Sequence, residues 1–536
     1  MTTGTVPSHR SEAGAGNDGF AQLLRAEWTK FRTVRGWVVG MAVAALVTVA
    51  IGLLTASGSE ESCGNQACPA PPVGPGGEAV SDSFYFVHQP LTGNGSITVR
   101  VTALTGRYSP GYIQPGEGLA GMLPGLGPWA KAGIMIKAST RPGSAYAAML
   151  VTGGRGVRMQ YNYTADTAGL PGAISAASPR WLRLTRSGDT ITGYDSADGI
   201  RWTRVGVAHL AGLSSTVQAG LFAAAPASSH VTTRGVGSAT AIGGPALATA
   251  SFDHISLRGT RPGGTRPGGT QPGGTWAGDA VGGISGGMPA SAEGFHQAGG
   301  RLTVSGSGDI APEVPAVPAD TGTGIEFTLA GVFAGLIAVI VVGTMFITAE
   351  YRRGLIRSTL IASPRRGRVL AAKAIVIGSV TFAAGLVGVA AAVWFGERLL
   401  RRHGFYILPV PALTELRVIA GTAALLAVAA VLALAAGALL RRSAAAVTAV
   451  LGVTVVPYFL ATSVLPASPA DWLLAATPAA GFAIQQSLPQ YPQVSGNYTP
   501  FNGYFPLAPL AGFAVLCAWA ALALGLAVIL LRRRDA

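Results

Sequence analysis

The sequence predicts a mixed fold: an all-α bundle of six membrane-crossing helices, interrupted after the first helix by an all-β sandwich. Three observations predict it. Six mostly apolar stretches of 19 or more residues occupy 37–55, 327–348, 374–395, 418–440, 444–465 and 507–531. Each is long enough to cross roughly 30 Å of hydrocarbon at about 1.5 Å per residue. Residues 58–324 hold no run of that length and read instead as short alternating segments between turn residues. Basic residues gather before the first stretch, between the second and third, between the fourth and fifth, and after the sixth, which places those points on the cytoplasmic side. Both termini are therefore expected on the cytoplasmic side of the cell membrane and 57–324 outside the cell.

The charge distribution supports the division. Residues 58–324 carry 17 Lys and Arg against 15 Asp and Glu, whereas the rest carries 21 against 9, so most of the net charge of +14 sits beside the helices. That excess orients the chain and favours anionic inner-leaflet lipid as a partner. No long basic patch with interleaved aromatics appears, so no nucleic-acid partner is expected.

Residues 1–19 are polar and Gly- and Ser-rich, a composition expected to be disordered. Residues 20–56 begin with FAQLLRAEWTKFRTVR, in which Phe20, Leu23, Leu24, Trp28 and Phe31 recur at helical spacing. This reads as an amphipathic helix lying on the membrane and leading into the first crossing. The first apolar stretch is preceded by 36 residues and followed by no clean small-residue cleavage site, so it is read as a retained helix rather than a signal peptide. Cys63 and Cys68, in a linker at 57–80, read as a small disulfide loop in an oxidising compartment.

Within 81–258 the strand candidates are 84–88, 96–104, 132–137, 145–152, 157–163, 181–186, 190–194, 202–207, 217–225 and 250–257. Ile97, Val99 and Val101 alternate with Thr98, Arg100 and Thr102, the period of a half-buried strand. Ser187-Gly188 and Asp198-Gly199 supply turns. Residues 259–275 contain RPGGT, RPGGT and QPGGT, a repeat too rich in Pro and Gly to pack and therefore a linker. In 276–324, RLTVSG at 301–306 alternates like one more strand before the return to the membrane.

Residues 325–536 hold the other five crossings. After the second, 350–373 (EYRRGLIRSTLIASPRRGRVLAAK) carries seven basic residues against one acidic, with Ile356, Leu360 and Ile361 forming a short apolar face that Pro364 ends. Arg398, Arg401 and Arg402 depart from the charge rule, since 396–417 is expected outside; a helix protruding to His403-Gly404 accommodates them. Residues 471–488 are apolar but broken by Pro478 and Gly481, which suits a re-entrant or surface helix pair.

Catalytic chemistry finds little support. The four lysines, Lys30, Lys131, Lys137 and Lys373, follow Thr29, Ala130, Ile136 and Ala372, so no Gly-Lys-Ser/Thr phosphate loop exists. The seven histidines have no metal-ligand spacing. Gly283-Ile284-Ser285-Gly286-Gly287 fits a nucleophile elbow only on paper, for no buried strand precedes it. Asp195 and Asp198 are better explained as turn formers than as a catalytic pair. Charged residues are scarce within the apolar stretches, which disfavours proton-coupled carriers and channels.

Two resemblances follow from these segments. AEWTKFRTVRGW at 26–37 and the basic segment 350–373 resemble the permease subunits of type-2 ABC transporters, across roughly 20–55 and 327–534. That resemblance implies a six-helix export subunit without catalytic residues, whose loop after the second crossing docks into a separate ATPase subunit that holds ATP and magnesium. Carried onto this sequence, it makes Glu350, Arg352, Arg353, Gly354, Arg357, Ser358, Arg365 and Arg366 the ATPase-coupling residues. It also implies a second permease copy or a sister permease, and it matches 471–488 to an external re-entrant element. DSFYFVHQPLTGNGSITVRV at 82–101, WAKAGIMIKAS at 129–139, WLRLTRSGDTITGYDSADGIRWTRVG at 181–206 and SFDHISL at 251–257 resemble concanavalin-like (laminin-G-like) jelly-roll sandwiches. There GGRLTVSGSGDI at 299–310 would precede the 82–101 strand, so a circular permutation through the RPGGT repeats is expected. Such domains often bind sugars, sometimes with calcium. Tyr108, Tyr112, Trp129, Tyr161, Tyr163 and Trp202 are the candidates for a stacking surface. The alternative expectation is a membrane-anchored carbohydrate- or protein-binding sensor, and a weaker one is a surface carbohydrate-active enzyme.

Overall fold

The computed structural model describes residues 19–59, 70–111, 119, 121–233, 239–260, 275–283, 288–314, 322–352, 354, 366–494 and 498–533. Cys63, Cys68, Tyr112, the RPGGT repeats, Ser285, Arg353, Arg357, Ser358 and Arg365 lie outside these described residues.

The helical part begins with α1 (Phe20–Thr33), whose apolar stripe buries Phe31 while Trp28 stays half-exposed. Val34 is extended and breaks the chain before α2 (Arg35–Ser57). After the sandwich come α3 (Val332–Arg352), α4 (Arg366–Arg402), α5 (Ala412–Leu440), α6 (Ser443–Thr454), α7 (Val456–Ser463), α8 (Ala467–Ala476) and α9 (Pro509–Arg533). Among the described residues, six segments are long and apolar enough to cross a membrane: α2, α3, α4, α5, α6 with α7, and α9. Pro457 lacks the N–H needed to continue the ladder, and α6 and α7 part beside it. Helices α3 and α5 are 61% and 72% buried against 22% for α2 and α9, so the first pair forms the centre of the bundle. Small residues allow the close packing: a Cβ on Gly343 of α3 would lie 2.6 Å from the Ala430 carbonyl of α5. Helix α4 has 37 residues, near 55 Å at about 1.5 Å per residue, and so outruns any bilayer core. At its end Arg398 stacks on Trp394, Arg401 pairs with Glu397, and Gly404 at φ +89° turns the chain.

The sandwich is built around β2 (Phe84–Tyr108), a 25-residue strand that serves two sheets. Its second half pairs with β8 (Arg180–Ser187) on one side and β14 (Ala246–Thr260) on the other. Strands β9 (Thr190–Ser196) and β10 (Thr203–His209) extend the β8 edge, while β17 (Arg301–Gly306) and β16 (Gly294–Ala298) extend the β14 edge. We call this sheet A. The first half of β2 pairs with β15 (Ala277–Val281) and β11 (Thr216–Ala224), and the sheet continues through β4 (Lys131–Lys137), β5 (Tyr146–Thr152), β6 (Val157–Tyr161) and β7 (Ala165–Ala168). This is sheet B. Each of the ten strand segments read from the sequence falls on one of these strands.

Alternation then fixes the core. Ile97, Val99, Val101, Leu182 and Leu184 of sheet A meet Val87, Ile134, Ile136, Met149 and Leu221 of sheet B. A second cluster lies on the opposite face of sheet B: Phe84, Phe86, Met135, Tyr146, Leu150 and Phe222, covered by Val80 and Ile310. Those two covers belong to β1 (Val80–Asp82) and β18 (Ile310–Pro312), the segments by which the chain enters and leaves the domain, and they pair antiparallel.

The pairing does not support circular permutation. Leu302 and Val304 pair with Phe252 and Ala250 of β14 and with Gln297 and Phe295 of β16, not with the strands near Asp82. Of the resembling stretch 299–310 the last residue, Ile310, pairs with Asp82, and 311–312 continue that short ribbon along Ser81 and Val80. The physical reason is that β14 already fills the edge of β2 along 92–108, so β17 adds one position farther out.

Candidate functional site

One cluster of buried charge joins three helices of the bundle. Helix α1 contributes Glu27 and Lys30, α3 contributes Glu350 from its last turn, and α4 contributes Lys373. Lys373 Nζ donates to Glu27 Oε2 at 2.7 Å and to Glu350 Oε1 at 2.6 Å. Lys30 Nζ donates to Glu27 Oε1 at 2.8 Å and reaches Glu350 Oε1 at 3.3 Å. Two cations and two carboxylates thus alternate, and the Lys373 ammonium also lies 4.9 Å from the Phe346 ring centroid. Glu27 and Lys373 are 2% and 1% exposed, so the pair is desolvated and holds only because each charge is matched. Burial pulls Lys30 down, but the hydrogen bond and charge of Glu27, joined by Glu350, outweigh it and leave its ammonium above the ordinary lysine range.

This network ties α1 to both flanks of the basic 350–373 segment. Of the coupling residues expected there, Glu350 turns inward to Lys373, Arg352 is exposed, and Gly354 is exposed at φ +68°. Arg366 donates to the Leu531 carbonyl of α9. Sequence reasoning missed Glu27, Lys30 and Lys373 as partners of Glu350. A signal existed for the first: Glu27 falls on the apolar stripe of Leu23, Leu24 and Phe31, where a carboxylate requires a partner.

A second polar centre lies in the sandwich, where β1 and β18 meet sheet B. Lys131 and Lys137 of β4 have no exposed side-chain surface, and each pins one of the two ribbon segments. Lys137 Nζ lies 2.7 Å from Asp82 Oδ2, and Lys131 Nζ lies 2.7 Å from Asp309 Oδ1. Asp82 Oδ2 also accepts from the Tyr163 hydroxyl at 2.8 Å and from the Gly143 N–H at 2.8 Å. Burial lowers Lys137 and raises Tyr163, with Asp82 acting against the first shift and adding to the second. The backbone of the same turn meets the helical part: Gln493 Nε2 donates to the carbonyls of Tyr163 and Thr164 at 3.3 and 3.0 Å. Nearby, Glu326 accepts from the Ser487 hydroxyl under Gly503, whose φ of +82° and tight spacing leave no room for a Cβ. Burial pushes Glu326 up to about 7, against the restraining Ser487 hydrogen bond.

The expected aromatic surface is not assembled as one. Tyr163 is buried on the outer side of sheet B, while Trp202 is stacked on Arg183 of sheet A at 3.8 Å. Trp129 is buried beneath Arg155 and Arg158, both 5.7 Å from its ring. Among the described residues no group of three or more His, Cys, Asp or Glu side chains is placed to hold a metal ion.

No protein-family model and no curated protein matches the chain. Among solved structures, similarity is found to a functionally unknown protein from Saccharomyces cerevisiae, at 16% identity over 37% of this chain and 85% of that one, with a TM-score of 0.22. SCP-B, a member of the eqolisin family of peptidases in complex with the tripeptide Ala-Ile-His, is 10% identical over 42% of this chain and 98% of its own, with a TM-score of 0.23. The GH43 protein BlXynB from Bacillus licheniformis is 17% identical over 24% of each chain, with a TM-score of 0.16. These likenesses are too distant to carry an activity to this chain.

Proposed function

We propose that this chain is the permease subunit of an ATP-driven exporter of the ABC-2 kind, working with a separate ATPase subunit and with a second permease copy. In this reading the α1 end of the bundle faces the cytoplasm, both termini lie there, and the sandwich is outside. One observation supports it above the others: the Glu27–Lys373–Glu350–Lys30 network joins the surface helix to both roots of the basic 350–373 segment. A membrane anchor needs no such brace. A segment that is pushed by a partner does, because displacement at its roots is then shared by α1, α3 and α4 instead of being absorbed locally. The chain has no Gly-Lys-Ser/Thr phosphate loop, and in this reading nucleotide hydrolysis belongs to the partner.

The test is co-isolation. Arg353→Glu with Arg357→Glu should abolish recovery of the ATPase subunit with the chain while membrane insertion and yield stay unchanged. Recovery at the parental level, or labelling of the 350–373 segment by an impermeant reagent from outside the cell, overturns the proposal. Retained insertion with no ATPase partner for the parent chain would favour the membrane-anchored binding protein.

A further inference from the structure

We infer that the outward face of α4, near the end of that helix, binds the headgroup of an anionic phospholipid. The inference needs α4 to cross a membrane and does not depend on the transport reading. Helical spacing sets the face: at about 100° per residue, Val387, Trp394, Phe395, Arg398, Arg401 and Arg402 fall within an arc of roughly 120°. All six are exposed, while Val389, Val393, Gly396 and Leu400 on the opposite side are buried in the bundle. At roughly 1.5 Å per residue, Arg398 lies about 38 Å along the axis from Lys373, farther than the ~30 Å of a hydrocarbon core. With the Lys373 network at one boundary, Trp394 and Phe395 come to the other, and the arginines reach past it among the headgroups. This is the sandwich side of the bundle: Thr323, on the return from the sandwich, donates its N–H to the Tyr406 carbonyl at 2.9 Å and accepts from the Leu408 N–H at 3.0 Å.

Charge on this face is unbalanced. Arg401 pairs with Glu397 at 3.6 Å, whereas among the described residues no Asp or Glu forms an ion pair with Arg398 or Arg402. The Arg398 guanidinium lies 3.8 Å from the Trp394 ring centroid. That stack holds its plane and leaves its N–H edge for an acceptor, and a planar fork suits a phosphate bidentately. Below the arginines the face turns apolar: Val387, Trp394 and Phe395 are 70%, 54% and 47% exposed on a helix that crosses the membrane, so acyl chains cover them. One ligand satisfies both halves, an amphiphile whose phosphate sits among the arginines while its chains run past Trp394 toward Val387. The three arginines also oppose the charge rule that orients the rest of the chain, and an anionic headgroup offsets that conflict.

Other occupants match one half of the face only. A soluble anion meets the arginines and leaves Val387, Trp394 and Phe395 uncovered. A zwitterionic headgroup brings its own cation toward two guanidinium groups that have no carboxylate beside them. A second copy of this chain is the protein rival. A two-fold contact through this face would set Arg398 and Arg402 against the same arginines of the other copy, like charge against like.

The experiment uses the full chain in phosphatidylcholine nanodiscs that carry either photoreactive phosphatidylglycerol or photoreactive phosphatidylcholine, with adducts mapped by peptide. At equal dose, phosphatidylglycerol should label residues 387–402 of the parent about tenfold more heavily than phosphatidylcholine. Arg398→Gln with Arg402→Gln should cut that labelling about tenfold. Arg532→Gln with Arg533→Gln, at the end of α9, should leave it unchanged. The comparison of the two lipids on the parent needs no variant, so the test stands even if the substitutions unfold the chain. Equal labelling by the two lipids overturns the inference, as does parental labelling of the Arg398 and Arg402 double variant. Loss of the adducts on adding excess inorganic phosphate overturns it in favour of a free-anion site. Absence of adducts from either lipid, with cross-links between copies through α4, overturns it in favour of a protein interface.

Discussion

Replacing Lys373 by Met removes one charge from the interior and leaves two facing carboxylates. The lysine lies 2.7 Å from Glu27 and 2.6 Å from Glu350. At an effective dielectric near 20, each attraction is worth roughly 6 kcal/mol before desolvation is subtracted. Desolvation of the three ions takes back several kcal/mol apiece, so the intact cluster adds little net stability. Removing the lysine has a different balance, because Glu27, 2% exposed, keeps its desolvation cost and retains only Lys30, whose side chain is 43% exposed. Loss of one member of such a buried pair costs about 3–5 kcal/mol. In detergent-solubilised protein, Lys373→Met should therefore lower the thermal unfolding midpoint of the helical part. Glu27→Gln added to Lys373→Met should restore most of it, since the uncompensated charge is gone. A single variant as stable as the parent, or a double variant no better than the single, would refute the claim that matched burial holds the cluster together.

Three further outcomes follow from the sandwich. Lys137→Met leaves Asp82 buried with only the Tyr163 hydroxyl and Gly143 N–H, so it should destabilise the domain by about 3–5 kcal/mol, and adding Asp82→Asn should recover most of the loss in urea unfolding. Burial, with the charge of Asp309, pushes Glu313 up to about 8. A carboxyl raised on folding takes up protons, so its contribution declines between about pH 4.5 and 8 and is flat beyond; Glu313→Gln should match the parent near pH 4 and exceed it in unfolding midpoint at pH 9. Gly193→Val adds a side chain whose Cβ would lie 2.6 Å from Met149 Sδ and 2.7 Å from Met159 Sδ, so it should forfeit about 1–3 kcal/mol by overpacking between the sheets, read by the same melts.

Six apolar stretches and ten strand segments were legible because each is written in a local period. Helix ends were less so: the stretch at 374–395 became Arg366–Arg402, since a helix continues wherever arginines reach solvent from a protruding end. Strand β2 was read as two pieces, 84–88 and 96–104, because Pro90, Gly93 and Gly95 punctuate it like a turn. In the fold those residues instead let one strand pass from sheet B to sheet A, with Gly93 at φ +67° and Gly95 in a space where a Cβ would lie 2.4 Å from the Arg258 carbonyl. The position of β17 was misjudged because its sequence announces a strand but not which edge is vacant. The candidate site was half legible. Glu350 and the arginines were visible as a charged loop, but its partner Lys373 is 23 residues away and Glu27 more than 300, and no local pattern joins them.

A single regularity connects the two polar centres. The chain has only four lysines against a much larger number of arginines, and all four sit in ion pairs that hold distant segments together. Lys30 and Lys373 join α1 to α3 and α4, while Lys131 and Lys137 join sheet B to the two ribbon strands that lead to the helices. An ammonium is a compact point charge on a slender stem and fits a closed site where a planar five-donor fork would leave protons without acceptors. Arginine, which keeps its charge and tolerates partial hydration, serves at helix ends and on the outer face of sheet A. The division makes Lys→Arg at 131, 137 and 373 a severe change, because each site has no more than 1% exposure into which a larger head group can escape.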